Sequence, residues 1–170
     1  MTPDQDLPGM IRPLLPEERG TLASLLLRLD RVSRRRRFGH AVDDDFIESH
    51  ARRIDWDRAF VLGYFEGGAL RGAVEAAWPA VEWLDGAAEI AVQVEAGWRR
   101  RGVASALLTA TTRLARSRGI SGIFFSALAE NVPLRRLVGG FGIPFALVGT
   151  ELEGHLELCP AAPVPAGEMI

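Results

Sequence analysis

The chain has 170 residues, of which 48% are hydrophobic and 25% are charged, and its formal net charge at pH 7 is -2. This length suits a single domain, and the composition is ordinary for a globular protein. Because the charge is near neutral, the sequence excludes the strongly basic overall character of many nucleic-acid-binding domains. The 20 Lys and Arg residues are all arginines. Positive charge is therefore concentrated in local arginine clusters.

The single cysteine, Cys159, excludes an intramolecular disulfide and a cysteine-based zinc site. The histidines show no ligand-like spacing, so we expect no metal. The N-terminus lacks a signal-peptide pattern, and no apolar run reaches the roughly 18 residues of a membrane span. We therefore expect a soluble cytoplasmic protein with one domain over residues 10–159, flanked by flexible tails at 1–9 and 160–170.

The first part of the chain predicts a strand followed by two helices. Met10 to Leu15 has the pattern of a strand, and Pro16 fits the first turn of a helix. Asp43 is a suitable N-cap for the second helix. Between the two helices, we expect Arg34 to Arg37 to lie in a solvated loop. Leucines at helical spacing predict the buried face of the first helix: Leu22, Leu25, Leu26 and Leu29.

A hairpin is predicted next. Phe60 to Phe65 and Leu70 to Trp78 have the composition of strands, and Gly67-Gly68 between them supplies the positive φ that a tight hairpin turn requires. The segment from Pro79 to Gly86 is rich in turn residues and predicts a connection.

The second half of the chain predicts alternating strands and helices. The elements are a strand at Ala87 to Val94, a helix from about Gly102 to Arg118, a strand at Ile123 to Leu128, a short helix at Val132 to Gly140, and a closing hairpin of Phe145 to Val148 with His155 to Leu158. This order predicts an α/β (α+β) domain with a mixed, mostly antiparallel sheet. Its fourth and fifth strands are expected to be parallel and joined by a right-handed helical crossover.

The segment from Glu89 to Leu108 joins a strand to a helix through an arginine-rich turn. A helix start offers N–H groups without intrahelical partners and the positive end of the helix dipole, so it favours an anion such as phosphate. Gly102 lets the backbone approach a ligand closely. A Walker A loop needs a lysine, which the chain lacks, and a dinucleotide fingerprint needs three glycines where only Gly102 is present. Both of these loops are excluded.

The remaining pattern of Arg99, Gly102 and Ala104 after a strand resembles the pyrophosphate loop of the GNAT family of acetyl-CoA-dependent N-acyltransferases. Taken alone, it is also compatible with a positively charged surface turn. The downstream segment GISGIFFSALAENVPLRRLVGGFGI resembles the family's fifth strand, terminal Asn, short helix and closing Gly-aromatic pair, with Ile143 in place of the usual Phe. The similarity extends from Ile11 to Leu158.

Three segments are similar to a narrower group, the catalytic domains of Pat-type bacterial protein lysine acetyltransferases. The segments are Arg37-Phe38, Ile54-Asp55-Trp56-Asp57, and Leu128 to Asn131 followed by Pro133-Leu134. The resemblance implies a GNAT fold, with a seven-stranded sheet and about four helices. It also implies that acyl-CoA lies where the fourth and fifth strands separate, at a bulged end of the fourth strand.

The resemblance further implies direct transfer of an acetyl group from acetyl-CoA to a primary amine in a ternary complex, with a protein lysine as one candidate acceptor. Glu89 is the implied general base, acting through a bound water because such amines are protonated at neutral pH. Glu75 and Glu130 are competing candidates, and a merely solvated or arginine-paired Glu89 is the structural alternative. The implied CoA contacts are Val92, Gln93, Val94, Arg99, Arg100, Arg101, Gly102, Val103, Ala104, Ser105 and Asn131.

Some features depart from the family pattern or leave alternatives open. A tyrosine that protonates the departing thiolate in many members is replaced by Val138, and Gly139-Gly140 weaken the same helix. These departures favour the alternative of a catalytically silent acyl-CoA-binding regulatory module. The run Arg34 to Arg37 is an alternative site for the CoA 3′-phosphate or for acidic groups of a substrate, and we expect Trp83 and Trp98 to have packing roles. We expect no nucleic-acid or membrane partner. The oligomeric state stays open, with a dimer among the options.

Overall fold

The computed structural model describes residues 7–78 and 86–158, and within them the chain forms one seven-stranded sheet. The strands are β1 (Met10–Pro13), β2 (Ala59–Glu66), β3 (Ala69–Ala77), β4 (Ala87–Val94), β5 (Gly122–Leu128), β6 (Phe145–Val148) and β7 (Glu151–Glu157). Their order is β1-β2-β3-β4-β5-β7-β6, and β4–β5 is the parallel pair. The predicted mixed, mostly antiparallel sheet is confirmed.

Five α-helices lie within the described residues, where the sequence predicted about four. They are α1 (Arg19–Leu27), α2 (Arg31–Phe38), α3 (Asp44–Arg52), α4 (Val103–Ser117) and α5 (Val132–Gly140). Short 3-10 turns precede α1 at Pro16–Glu18 and follow β4 at Ala96–Trp98. Asp43 caps α3 as predicted, because its carboxylate accepts a hydrogen bond from the Phe46 N–H at 2.8 Å.

The additional helix is α2, so the prediction of a solvated loop at Arg34 to Arg37 is wrong. The helix is capped at both ends. The Asp30 carboxylate accepts a hydrogen bond from the Ser33 N–H at 2.8 Å, and Gly39 ends the helix in the left-handed region at φ 79. Asp30 and Gly39 are typical residues for these positions. Both capping residues are visible in the sequence, but the run of arginines between them favoured the interpretation as a solvated loop.

Apolar side chains form two cores, one on each face of the sheet. One core joins Leu22, Leu25 and Leu26 of α1, and the predicted Leu29 just beyond its end, to Ile47 of α3 and to β2 and β3. The larger core joins α4 to β2–β5 through Val103, Leu107 and Leu108. No helix in the described ranges is long and apolar enough to cross a membrane.

Most predicted boundaries agree with the structure, and the exceptions have identifiable causes. The hairpin turn at Gly67 and Gly68 is confirmed, with φ of 62 and 74. Strand β1 ends at Pro13, two residues earlier than predicted, and β7 begins at Glu151 rather than His155. Strand β7 is longer because it pairs with β5 along its whole length. Trp83 and the predicted connection from Pro79 to Gly86, apart from Gly86 itself, lie outside the described residues. Cys159 and most of both predicted tails also lie outside them.

The parallel pair of β4 and β5 is short. It begins at Ala87 opposite Gly122 and ends at Glu89 opposite Phe124, after which the two strands separate. On its other edge β4 keeps an unbroken register with β3, from Glu89 opposite Ala77 to Val94 opposite Gly72. The predicted separation is therefore confirmed, but the predicted bulge at the end of β4 is wrong. A register shift occurs instead between β2 and β3, where Tyr64 lies opposite Gly72 and Phe65 opposite Leu70, so that Arg71 is the extra residue on β3.

Replacing Gly154 by alanine tests the packing of β7 against β5. A Cβ atom at Gly154 would overlap the Phe125 ring and lie 2.8 Å from the Pro144 carbonyl oxygen. Overpacking of this kind costs about 1–3 kcal/mol, so we expect urea denaturation to show a loss of about 2 kcal/mol for Gly154→Ala.

The matched control is Gly139→Ala on α5, where a Cβ atom meets nothing within 4 Å. Alanine is favoured over glycine inside a helix, so this variant should be unchanged or stabilised by up to about 1 kcal/mol. Equal stability of the two variants would contradict the close approach of β7 to Phe125.

Candidate active site

A cavity of about 520 Å³ opens where β4 and β5 separate. Its size lies within the usual range of small-molecule sites, about 300–1,000 Å³. The start of α4, helix α5 and helix α2 all contribute residues to its lining. Of the predicted CoA contacts, these line the cavity: Val92, Gln93, Val94, Arg99, Arg100, Gly102, Ala104, Ser105 and Asn131.

Three of the predicted site residues lie outside this lining. Val103 is buried in the core beneath α4, with 1% of its surface exposed. Arg101 turns away, with its guanidinium 3.8 Å from the Glu66 carboxylate. Glu89 is the last residue of β4 that pairs with β5, and its side chain is exposed. The backbone of Glu89 therefore marks the closed end of the fork between the two strands.

Backbone groups of β4 face the opened gap. The Glu95 N–H donates to the Arg71 carbonyl oxygen at 2.8 Å, so the backbone N–H of this residue is directed toward β3. Because these groups alternate along an antiparallel strand, Val92 and Val94 direct theirs toward the gap instead. The Val94 carbonyl oxygen accepts from Arg99 Nε at 2.9 Å. Beyond Glu89, the side of β4 that faces β5 therefore has backbone N–H and C=O groups without a partner strand, as at the edge of a sheet.

The turn before α4 exposes the start of the helix to the cavity. Arg100 and Gly102 both have positive φ, 60 and 86, which produces a sharp turn into the helix. The Ala106 N–H donates to the Gly102 carbonyl oxygen at 2.9 Å. The N–H groups of Val103, Ala104 and Ser105 therefore have no intrahelical acceptor, and they lie at the positive end of a 15-residue helix. This arrangement is suited to an anion.

One side of α2 also lines the cavity, although the sequence analysis gave a ligand-binding role for Arg34 to Arg37 only as an alternative. The lining residues of the helix are Ser33, Arg36 and Arg37, and Leu29 lies just before its start. Spacings of three and four residues from Ser33 place the three helical residues on one face, so the pattern was visible once a helix was assumed. Ser33 accepts a hydrogen bond from Arg99 at 2.8 Å, which ties α2 to the turn before α4.

The cavity is strongly positive. None of the described lining residues is Asp or Glu. Five arginines line the cavity, namely Arg36, Arg37, Arg99, Arg100 and Arg136. Two of the five hold other protein groups, since Arg99 bonds Val94 and Ser33, and Arg37 bonds Glu75 and Gln93. The other three make no hydrogen bond or ion pair with any described residue. They are available to an anionic ligand.

A buried ionic network lies against the cavity. The Glu75 carboxylate accepts from Arg37 at 2.7 Å, from His50 Nε2 at 2.6 Å and from the Gln93 amide at 3.2 Å. Burial raises the pKa of Glu75, but the neighbouring Arg37 and His50 outweigh it and lower the pKa to about 2. Glu75 therefore stays ionised at neutral pH and remains bonded to Arg37, His50 and Gln93. This state makes it a poor proton acceptor.

The other predicted residues have clear positions. Glu130 is exposed and paired with Arg35 at 3.4 Å. Asn131 accepts from the Leu134 N–H at 3.2 Å, so it caps α5 while also lining the cavity. Val138 is buried in the core, whereas Leu134 and Leu137 form the cavity wall on that helix. Trp98 packs against the core and also lines the cavity.

A family comparison identifies the fold. The model of the Acetyltransferase (GNAT) family matches residues 25–142. The chain belongs to the GNAT acetyltransferase family. No protein in the curated set matches the sequence significantly.

Solved structures share the GNAT fold of this chain. The GNAT domain of S. lividans PAT has a TM-score of 0.75 and 22% identity, over 88% of this chain and 90% of that domain. The yncA protein of Salmonella typhimurium, solved with its cofactor acetyl-CoA, has a TM-score of 0.67 and 17% identity, over 94% of this chain and 99% of that protein. The PaiA N-acetyltransferase of Thermoplasma acidophilum, in complex with coenzyme A, has a TM-score of 0.64 and 17% identity, over 88% and 98%. At these identities, the likeness is one of fold.

Acidification should selectively destabilise the Glu75 network. The pKa of Glu75 in the folded protein lies below its ordinary value, so its contribution is complete above pH 4.5 and disappears as the pH falls toward 2. Between pH 5 and pH 3, we expect the free energy of unfolding of the unmodified protein to fall by about 2 kcal/mol more than that of the Glu75→Gln variant. Urea denaturation at both pH values measures this difference. Parallel pH dependence of the two proteins would contradict a depressed pKa at this residue.

Proposed function

We propose that this GNAT domain transfers the acetyl group of acetyl-CoA to a primary amine by direct attack in a ternary complex, with Glu89 as the general base. The observation that carries the proposal is the fork between β4 and β5, which ends at Glu89 and opens onto the exposed start of α4. The fork supplies backbone partners for an extended ligand arm, and the helix start supplies partners for a pyrophosphate.

The groups around the cavity match the chemistry of acyl-CoA. The pyrophosphate would accept hydrogen bonds from the N–H groups at the start of α4. The amide-containing pantetheine arm would pair with the gap-facing backbone of Val92 and Val94. The uncommitted Arg36 and Arg136 would neutralise further phosphate charge. Solved neighbours that contain acetyl-CoA or coenzyme A support this assignment for the same fold.

The position of Glu89 fits the removal of a proton from the amine. Cross-strand partners share a sheet face, so Glu89, Glu75 and Gln93 lie on the same face, with Glu89 at the closed end of the fork. Its exposed carboxylate is open to a water, through which it would accept the proton of a bound ammonium. A gap-facing N–H of β4 would stabilise the developing oxyanion by about 3 kcal/mol.

No protein acid is required for the leaving group in this mechanism. A thiol with a pKa of about 8.5 leaves as a thiolate without prior protonation. This fits the expectation from the sequence that Val138 takes the place of the tyrosine that many members carry. The sole tyrosine, Tyr64, is buried in the core and donates a hydrogen bond to Glu66 at 2.6 Å.

We propose a protein lysine as one class of acceptor. Its support is the similarity of the three sequence segments to Pat-type acetyltransferases, together with the shared fold of the S. lividans PAT domain. A catalytically silent module would bind CoA equally well but would release no thiol with any amine, so turnover separates the two functions.

Substitution of Gly102 tests the cofactor site. Alanine at φ 86 is strained and places a Cβ atom beside the anion site. We expect isothermal titration calorimetry with CoA to show binding at least about tenfold weaker for Gly102→Ala, a loss of about 1.4 kcal/mol. The control is Gly97→Ala, where a Cβ atom meets nothing within 4 Å. Unchanged CoA affinity in Gly102→Ala would count against an anion site at this turn.

Substitution of Glu89 tests the base. We expect Glu89→Gln to bind CoA with unchanged affinity but to lower kcat by about 10²–10⁴-fold. The assay measures thiol release from acetyl-CoA with spermidine, L-lysine, a doubly blocked lysine tetrapeptide and the free amino acids. Glu130→Gln, which alters the rival exposed carboxylate, should retain activity close to that of the unmodified protein. Full activity in Glu89→Gln would eliminate Glu89 as the base.

A further inference from the structure

The network around Glu75 joins four separate elements. Glu75 lies on β3, Gln93 on β4, Arg37 on α2 and His50 on α3. Three of the contacts form a closed triangle, because Arg37 also donates from Nε to the Gln93 amide oxygen at 3.2 Å, and the Gln93 amide donates to Glu75 at 3.2 Å. Two members of the triangle, Arg37 and Gln93, line the cavity, whereas Glu75 does not. Glu75 therefore contacts the site through them.

Stability alone is a weak reason to bury this charge. Removing a carboxylate from water is costly, and replacing buried ion pairs by apolar residues is often neutral or stabilising. Only 11% of the Glu75 side chain and 12% of the Arg37 side chain are exposed. A buried pair of this kind is better suited to fixing an orientation, because each partner constrains the other in direction as well as distance.

The element that needs such orientation is α2. None of its eight residues is fully buried, and its apolar packing rests on Phe38, which packs against the core and lies with its ring centroid 5.3 Å from that of Phe46 and 5.2 Å from that of His50. Polar contacts hold the rest of the helix. At its start, Arg34 donates to the Leu27 carbonyl oxygen at 2.7 Å, and Ser33 accepts from Arg99. At its last turn, the buried anchor is the bond from Arg37 to Glu75.

We propose that Glu75 is a positioning residue: through Arg37 it holds the last turn of α2 over the acceptor side of the cavity. This inference rests on the proposed acetyl transfer, because it assigns the acceptor side to the sheet face that carries Glu89, Glu75 and Gln93. The pyrophosphate end lies at the start of α4 and is tied to α2 through Ser33 instead. Loss of Glu75 should therefore affect the amine more than the CoA.

The decisive comparison uses Glu75→Gln and a matched control, Glu18→Gln. Glu18 is also a carboxylate bonded to an arginine, Arg12, at 2.7 Å, but it does not line the cavity. With the panel amine of highest turnover, Glu75→Gln should raise KM for the amine and lower kcat/KM by at least about thirtyfold. Its dissociation constant for CoA, measured by calorimetry, should stay within about twofold. Glu18→Gln should leave both quantities unchanged.

A double-mutant cycle tests whether Glu75 acts through Arg37. The variants are Glu75→Gln, Arg37→Gln and the two substitutions combined. If the pair acts as a unit, the combined variant should lose no more kcat/KM than the worse single variant. Additive losses would overturn the proposal, and so would unchanged amine kinetics in Glu75→Gln or an equal loss of CoA affinity.

Amide hydrogen exchange gives a readout that does not need turnover. In Glu75→Gln, peptides covering residues 31–38 should exchange at least about tenfold faster, while peptides covering α4 remain protected as in the unmodified protein. Failure of the unmodified protein to acetylate any amine would refute the proposed function but would leave this measurement decisive. Global loss of protection in both Glu75→Gln and Arg37→Gln would show a purely structural role and overturn the proposal.

Discussion

The separation of β4 from β5 is the constraint on which the rest of this structure depends. The two strands pair only from Ala87 to Glu89 on β4, yet each remains paired on its other edge, β4 with β3 and β5 with β7. The sheet thus stays continuous while it exposes backbone groups at a fork in its middle. An unpaired strand edge inside a sheet is costly unless something bonds to it. An extended ligand with amide groups satisfies that requirement.

Charge is arranged around the fork in two layers. Arginines line the cavity, and the carboxylates that balance them lie elsewhere, with Glu75 buried behind Arg37 and Gln93. This separation leaves positive charge facing the cavity, while Glu75 neutralises part of it from behind. It also explains how a chain with a net charge of -2 presents a strongly positive cavity.

Much of the fold could be predicted because its elements have clear local patterns. Strand β4, helix α5 and strand β6 have the bounds that alternation and capping residues predict, and the Gly67-Gly68 hairpin follows from the need for positive φ. The turn before α4 was also recognisable, since its residues are contiguous. Helix α2 was missed because four adjacent arginines resemble a solvated loop, although Asp30 and Gly39 cap it.

The sequence by itself determined the order of the strands, the helix start that follows β4 and the family, because each depends on residues close together in the chain. Only the tertiary structure decided which side chains meet across elements. The sequence could not show that Glu75 contacts Arg37, His50 and Gln93, which are up to 38 residues away from it in the chain. Nor could it show that α2 lies over the cavity. Such contacts depend on how strands pair and helices pack, and these long-range interactions leave no local pattern.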